Sequence, residues 1–163
     1  MNRRLYFLSL SVALLAIAPA RADVQVTFTA PEKYVDAGLL RDGASAREVT
    51  LRMIREHLVR LGERYLAPDR TVTIEILDID LAGELEWRHG PYDIRYLRSH
   101  TWPRIKLRYT LEESGQTVDS REEAVSDPSY QMNVITRSGE SMPHEKEMLA
   151  RWFRSRFAAG NTP

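Results

Sequence analysis

An acidic cluster in the middle of the chain carries the residue types best suited to chemistry. It consists of Asp78, Asp80 and Glu84, and the alternating segment around the two aspartates predicts a β-strand. Residues two apart on a strand project from the same face, so the carboxylates of Asp78 and Asp80 are expected side by side. Gly83 would let the backbone turn and bring Glu84 close to them. Hard cations such as calcium bind several such oxygens, and paired carboxylates can also divide acid and base roles.

The same cluster has a structural interpretation. Charged residues at the end of a strand discourage sheets from pairing edge to edge. The EF-hand spacing is absent, and no histidine lies nearby except His89. The sequence therefore leaves Asp78, Asp80 and Glu84 as candidate metal ligands, assigns no catalytic residue, and contains no motif for an organic cofactor.

Histidine and serine residues give weaker indications of chemistry. The histidines are His57, His89, His100 and His144, and no two have the spacing of a metal-binding pair on a helix. His89 and His100 flank a short predicted strand and could meet in space, although their spacing is unlike that of standard zinc motifs. The sequence also lacks a G-x-S-x-G nucleophile elbow and a phosphate-binding glycine loop.

Aromatic residues leave two further alternatives open. One group either lines a binding groove or belongs to the core; its members are Trp87, Tyr92, Tyr96, Trp102 and Tyr109. The last predicted helix carries aromatic residues beside arginines, so it either packs on the sheet or lies on an anionic membrane surface.

Composition limits the class of protein. The chain has 163 residues, no cysteine, 43% hydrophobic residues, and 23 basic against 23 acidic side chains. This length suits one domain, and the apolar content is too high for a disordered chain. The absence of cysteine excludes a disulfide scaffold. Zero formal net charge gives no electrostatic case for a nucleic-acid partner.

The first segment has the pattern of a secretory signal peptide. Arg3 and Arg4 precede an apolar run over residues 5–18, and Ala20-Arg21-Ala22 supplies a cleavage site before Asp23. The apolar run is shorter than the roughly 20 residues that a spanning helix needs. We therefore expect residues 1–22 to be a leader and 23–163 to be a single exported domain, with no integral membrane segment after cleavage.

Hydrophobic periodicity predicts the first half of that domain as strand, helix, strand. Val24, Val26 and Phe28 alternate with polar residues, as in a half-buried strand. Ser45 and Glu48 form a capping box ahead of a helix with an apolar stripe from residue 51 to residue 65. In the second strand, residues 71–81, the apolar parity changes near Ile76-Leu77, which predicts a β-bulge there.

The second half reads as three strands and a helix. A short strand around Ile94 and Tyr96 precedes a strand with clean alternation from Ile105 to Leu111. Ser114-Gly115 then predicts a two-residue hairpin that would place Glu123 opposite Lys106.

A long loop and a helix complete the domain, which gives the order β-α-β-β-β-β-α. The loop covers residues 127–141; loops of that length are uncommon, and a minority of them are functional. Since both helices can cover the one apolar face of the sheet, we predict an α+β two-layer sandwich with a mixed, mostly antiparallel sheet.

Several stretches of the chain together resemble an uncharacterised bacterial family, number three thousand and sixteen of the domain-of-unknown-function series. They are residues 26–28, 31–37, 78–84, 93–95, 102–105, 109–111 and 144–153. The resemblance covers nearly the whole exported part. It implies a small secreted protein of Gram-negative bacteria, and the family offers no catalytic residue to carry over.

Two functions remain after this reading. The first is a non-catalytic periplasmic protein that binds another component of the bacterial envelope. The second is a small cation-dependent hydrolase that uses Asp78, Asp80 and Glu84. The sequence identifies neither a ligand nor an oligomeric state.

Overall fold

Two helices and a four-stranded sheet form most of the described chain, which in this computed structural model comprises residues 22–38, 43–86, 94–133 and 140–158. The strands are β1 (Asp23–Phe28), β2 (Arg70–Asp80), β3 (Glu84–Glu86), β4 (Ile94–Tyr96), β5 (Arg104–Glu113) and β6 (Gln116–Ser126). The helices are a 3-10 turn at Pro31–Lys33, α1 (Gly43–Tyr65) and α2 (Pro143–Phe157). The predicted leader up to residue 21 lies outside the described residues.

The main sheet has the strand order β1-β2-β5-β6. β1 and β2 are parallel, and the other pairs are antiparallel. One face of the sheet and both helices share a single hydrophobic core, which confirms the predicted α+β architecture. The structure adds β3, a short strand that the sequence did not predict. It pairs with β4, and the two form a separate ribbon outside the main sheet.

The predicted bulge in β2 is confirmed. The register between β2 and β5 shifts between Ile76 and Asp78, which leaves Leu77 as the extra residue. The bulge restores the core-facing parity, so that Ile76 and Ile79 are both fully buried although they are three residues apart.

A second bulge makes the predicted pairing of Lys106 with Glu123 wrong. The register between β5 and β6 shifts after Leu111, and Lys106 lies opposite Ala124. The shift turns Glu123 toward α2, where its Oε2 accepts a hydrogen bond from the Trp152 indole nitrogen at 2.8 Å.

Both helices bury the faces that periodicity predicted. α1 begins at Gly43, so Ser45 lies inside the first turn and is not the capping residue. In α2, Trp152, Phe153 and Phe157 are buried in the core, so the membrane-surface alternative for this helix is wrong. No described helix is long and apolar enough to cross a membrane.

Gly62 lets α1 approach β1 closely. A Cβ atom at this position would lie 2.2 Å from Cγ2 of Val24, well inside van der Waals contact. Val24 is itself buried and β-branched, so it has little freedom to move away.

We predict that Gly62→Ala destabilises the protein. The overlap with Val24 outweighs the gain in helix propensity, and we expect the free energy of unfolding to fall by about 1 kcal/mol. Urea unfolding measures this change. Adding Val24→Ala should relieve the overlap, so the two substitutions should be non-additive; purely additive effects would contradict the packing argument.

Candidate functional site

Several loops and the start of α2 meet at one end of the sheet. β1 and β2 finish there, β5 begins there, and the β3–β4 ribbon lies beside them. We call this region the Arg95 end and define it by residues 34–38, 80–86, 94–104, 127–133 and 142–146. Segments far apart in sequence are thereby brought together.

The guanidinium of Arg95 is the centre of this region. Its Nη1 and Nη2 donate to the two carboxylate oxygens of Asp36 at 2.7 and 3.1 Å, a bidentate ion pair. Nη2 also donates to the carbonyl of Gly38 and Nη1 to that of Gly83, each at 2.7 Å. The side chain of Arg95 is only 14% exposed. One side chain of β4 therefore fastens the segment after β1 to the turn between β2 and β3.

Gly83 allows the backbone to pass close to the ribbon. Its φ angle is +77°, and a Cβ atom would lie 2.6 Å from the carbonyl oxygen of Tyr96. Its amide donates to the carbonyl of Thr101 at 2.9 Å. A side chain at this position would strain the turn and push against β4.

Glu145 connects the same turn to α2. Its Oε1 accepts a hydrogen bond from the amide of Ala82 at 2.7 Å, and the residue is 4% exposed. Burial raises the pKa of this carboxyl above its ordinary value, while the hydrogen bond from Ala82 and the nearby charge of Arg95 act in the opposite direction. A buried acid thus lies beside the Arg95–Asp36 pair.

The predicted metal ligands have other partners. Oδ1 of Asp78 accepts from the amide of Val35 at 2.9 Å, and Asp80 pairs with Arg104 at 2.7 Å. Glu84 points toward Arg98, at 3.7 Å. Within the described part of the chain, no group of three or more histidine or acidic side chains is arranged to hold a metal ion. The metal site stays a prediction that this geometry does not support.

A model of the DUF3016 family, described as a protein of unknown function, matches residues 22–155. The chain belongs to this family. The resemblance seen in the sequence is thereby confirmed. No curated protein and no solved structure matches the chain.

The Arg95 end lies wholly inside the matched span. Asp36, Arg95 and Glu145 each belong to a different stretch of the resemblance to DUF3016, and the fold brings the three together. None of them was predicted as a site residue. Their membership in separate matching stretches was the signal available, but the sequence did not show that they meet.

The histidines are dispersed in the structure. His57 is on α1, with Nε2 2.9 Å from the carbonyl oxygen of Lys146. The ring of His144 contacts the Tyr130 ring edge to face, with centroids 4.8 Å apart. His100 is exposed. His89 lies outside the described residues, and so does the predicted contact between His89 and His100.

The aromatic group divides between core and surface. Tyr109 is buried among the aromatic residues of α2, as the core alternative expects. Tyr96 and Trp102 are half-buried at the Arg95 end and each carries an arginine over its ring, Arg98 and Arg104 respectively. Trp87 and Tyr92 lie outside the described residues.

We predict that Arg95→Gln lowers the free energy of unfolding by about 2–3 kcal/mol. The substitution removes the ion pair with Asp36 and leaves largely buried acceptors without their donor. Arg108→Gln is the matched control, because Arg108 pairs with Glu75 and Glu122 on the exposed face of the sheet. That change should cost less than about 1 kcal/mol. Equal losses in urea unfolding would contradict a special role for Arg95.

We also predict a change in the pH dependence of stability for Glu145→Gln. A carboxyl whose pKa is raised by folding contributes most below its unfolded pKa, and this contribution is lost as pH rises through the folded pKa. Wild-type protein should therefore lose stability relative to Glu145→Gln as pH rises from acid to neutral. Glutamine keeps an oxygen for the Ala82 amide.

Urea unfolding at several pH values measures this difference. Glu147→Gln is the control, because Glu147 is on the same helix and half-exposed. A difference between wild type and Glu145→Gln that is independent of pH, or that grows in favour of wild type with rising pH, would contradict the prediction.

Proposed function

We propose that the chain is an exported, non-catalytic protein of the Gram-negative periplasm that binds another envelope component through the Arg95 end. Export is supported by the leader pattern in residues 1–22 and by the start of β1 at Asp23, directly after the expected cleavage site. Membership in DUF3016 names no activity, so the binding role rests on the surface itself.

The observation that carries the binding role is the apolar surface of the Arg95 end. Val35 is 71% exposed, Met132 89%, Leu97 46% and Ile94 42%. Large apolar side chains exposed in one region of a soluble domain are typical of an interaction site. The arginine–aromatic pairs at Tyr96 and Trp102 add residue types that are enriched in protein interfaces.

The charged groups of the same region support a binding rather than a catalytic role. Arg95 is occupied by Asp36 and three backbone carbonyls, and Asp80 is occupied by Arg104. The contacts of Arg95 hold the ribbon and Asp36 in place, so Val35, Ile94 and Leu97 are presented on a fixed support, which lowers the entropic cost of binding. The hydrolase alternative would require Asp78, Asp80 and Glu84 to exchange their present partners for a cation.

Photo-crosslinking in the producing bacterium tests the binding surface. We predict that a benzophenone amino acid at Leu97 or at Val35 yields an adduct of discrete mass, and that the adduct is lost in the Arg95→Gln background. Val118 is the control position, because it is 52% exposed on β6 at the opposite end of the sheet. Equal adducts at all three positions, or none at Leu97 and Val35, would refute the proposed surface.

Intact-mass measurement tests export separately. The proposal expects protein from the periplasmic fraction to begin at Asp23. Protein that retains Met1 and is recovered from the cytosol would overturn the localisation.

A further inference from the structure

A groove runs between the two helices; it shares Pro143 and Lys146 with the Arg95 end but none of the exposed apolar side chains there. It encloses about 200 Å³, and its lining includes His57, Leu61 and Arg64 from α1 and Lys146, Ala150 and Arg154 from α2. Along the groove, the lining residues of α1 and those of α2 both increase in number toward the same end, so the two helices are parallel. Leu61 and Ala150 form an apolar middle, and Arg64 and Arg154 lie at the end where α1 finishes.

The charges in the groove leave one cation in excess. Lys146 pairs with Glu140 at 3.1 Å, and Arg154 lies 3.7 Å from Glu147. Arg64 lies over the ring of Tyr65, 5.4 Å from its centroid, and has no carboxylate partner among the described residues. Among the described residues, the groove therefore carries one guanidinium that makes no ion pair.

His57 adds a hydrogen-bonding atom but no charge at neutral pH. Burial lowers its pKa, and Nε2 lies 2.9 Å from the carbonyl oxygen of Lys146, so this nitrogen carries the proton. The neutral ring then keeps Nδ1 as an acceptor. The excess positive charge of the groove is thus the single charge of Arg64.

We propose that this groove binds a small monocarboxylate with a short apolar body. The carboxylate would lie against Arg64 and Arg154, since guanidinium groups match carboxylate geometry, and the body would lie on Leu61 and Ala150. One excess positive charge suits a monoanion better than a doubly charged phosphate. The apolar middle that Leu61 and Ala150 offer is short, so the apolar body that would cover it is short as well.

Titration of the full chain with octanoate, followed by amide NMR shifts, tests the proposal. Octanoate should produce saturable shifts at groove residues, whereas octanol, which has the same chain and no charge, should not. Arg64→Gln should weaken octanoate binding about fivefold, the upper range for an exposed ion pair. Arg52→Gln is the matched control, because Arg52 is 65% exposed on the same helix and does not line the groove.

Each other outcome overturns the proposal. Equal binding of octanoate and octanol would mean that the groove recognises apolar surface alone. If Arg64→Gln and Arg52→Gln weaken octanoate binding equally, binding depends on the net charge of the protein and not on Arg64. If the shifts do not saturate, or if the Kd for octanoate is weaker than about 1 mM, the groove is not a carboxylate site. These results are independent of crosslinking at the Arg95 end.

Discussion

The contact of the Arg95 guanidinium with Asp36, Gly38 and Gly83 determines how one end of the molecule is built. Among the described residues, β3 and β4 pair with each other and not with the main sheet, so no hydrogen bond of the main ladder holds them there. The position of the ribbon depends instead on Arg95, on the close passage at Gly83 and on the bond from Ala82 to Glu145. The apolar side chains that we assign to binding are presented by this arrangement.

Local patterns predicted the elements of the fold well. The parity change near Ile76 located a bulge correctly, and the apolar stripe located the buried face of α1, because both signals reside in neighbouring residues. The bulge in β6 gave no such signal. Its exposed residues have no apolar parity to interrupt, so the register of Glu123 could not be read from the sequence.

The candidate site was harder to predict than the fold. A cation site was predicted at Asp78 and Asp80 because acidic residues that are close in sequence can share a cation. Strand pairing instead places Arg104 beside Asp80. Arg95 and Asp36 are 59 residues apart, and a single sequence holds no record of which distant charges meet. The stretches that resemble the family contain these residues, but the resemblance does not indicate that Arg95 and Asp36 are in contact.

The placement of α2 has a consequence for the order of folding. Glu145 reaches a residue 63 positions earlier, and Phe153 and Phe157 fill the core beneath strands made long before them. Contacts between such distant positions form late, because a long stretch of chain must be closed before they stabilise anything. The core therefore remains open until nearly the whole polypeptide is available. Until then, the apolar face of the sheet that α2 covers stays exposed to solvent.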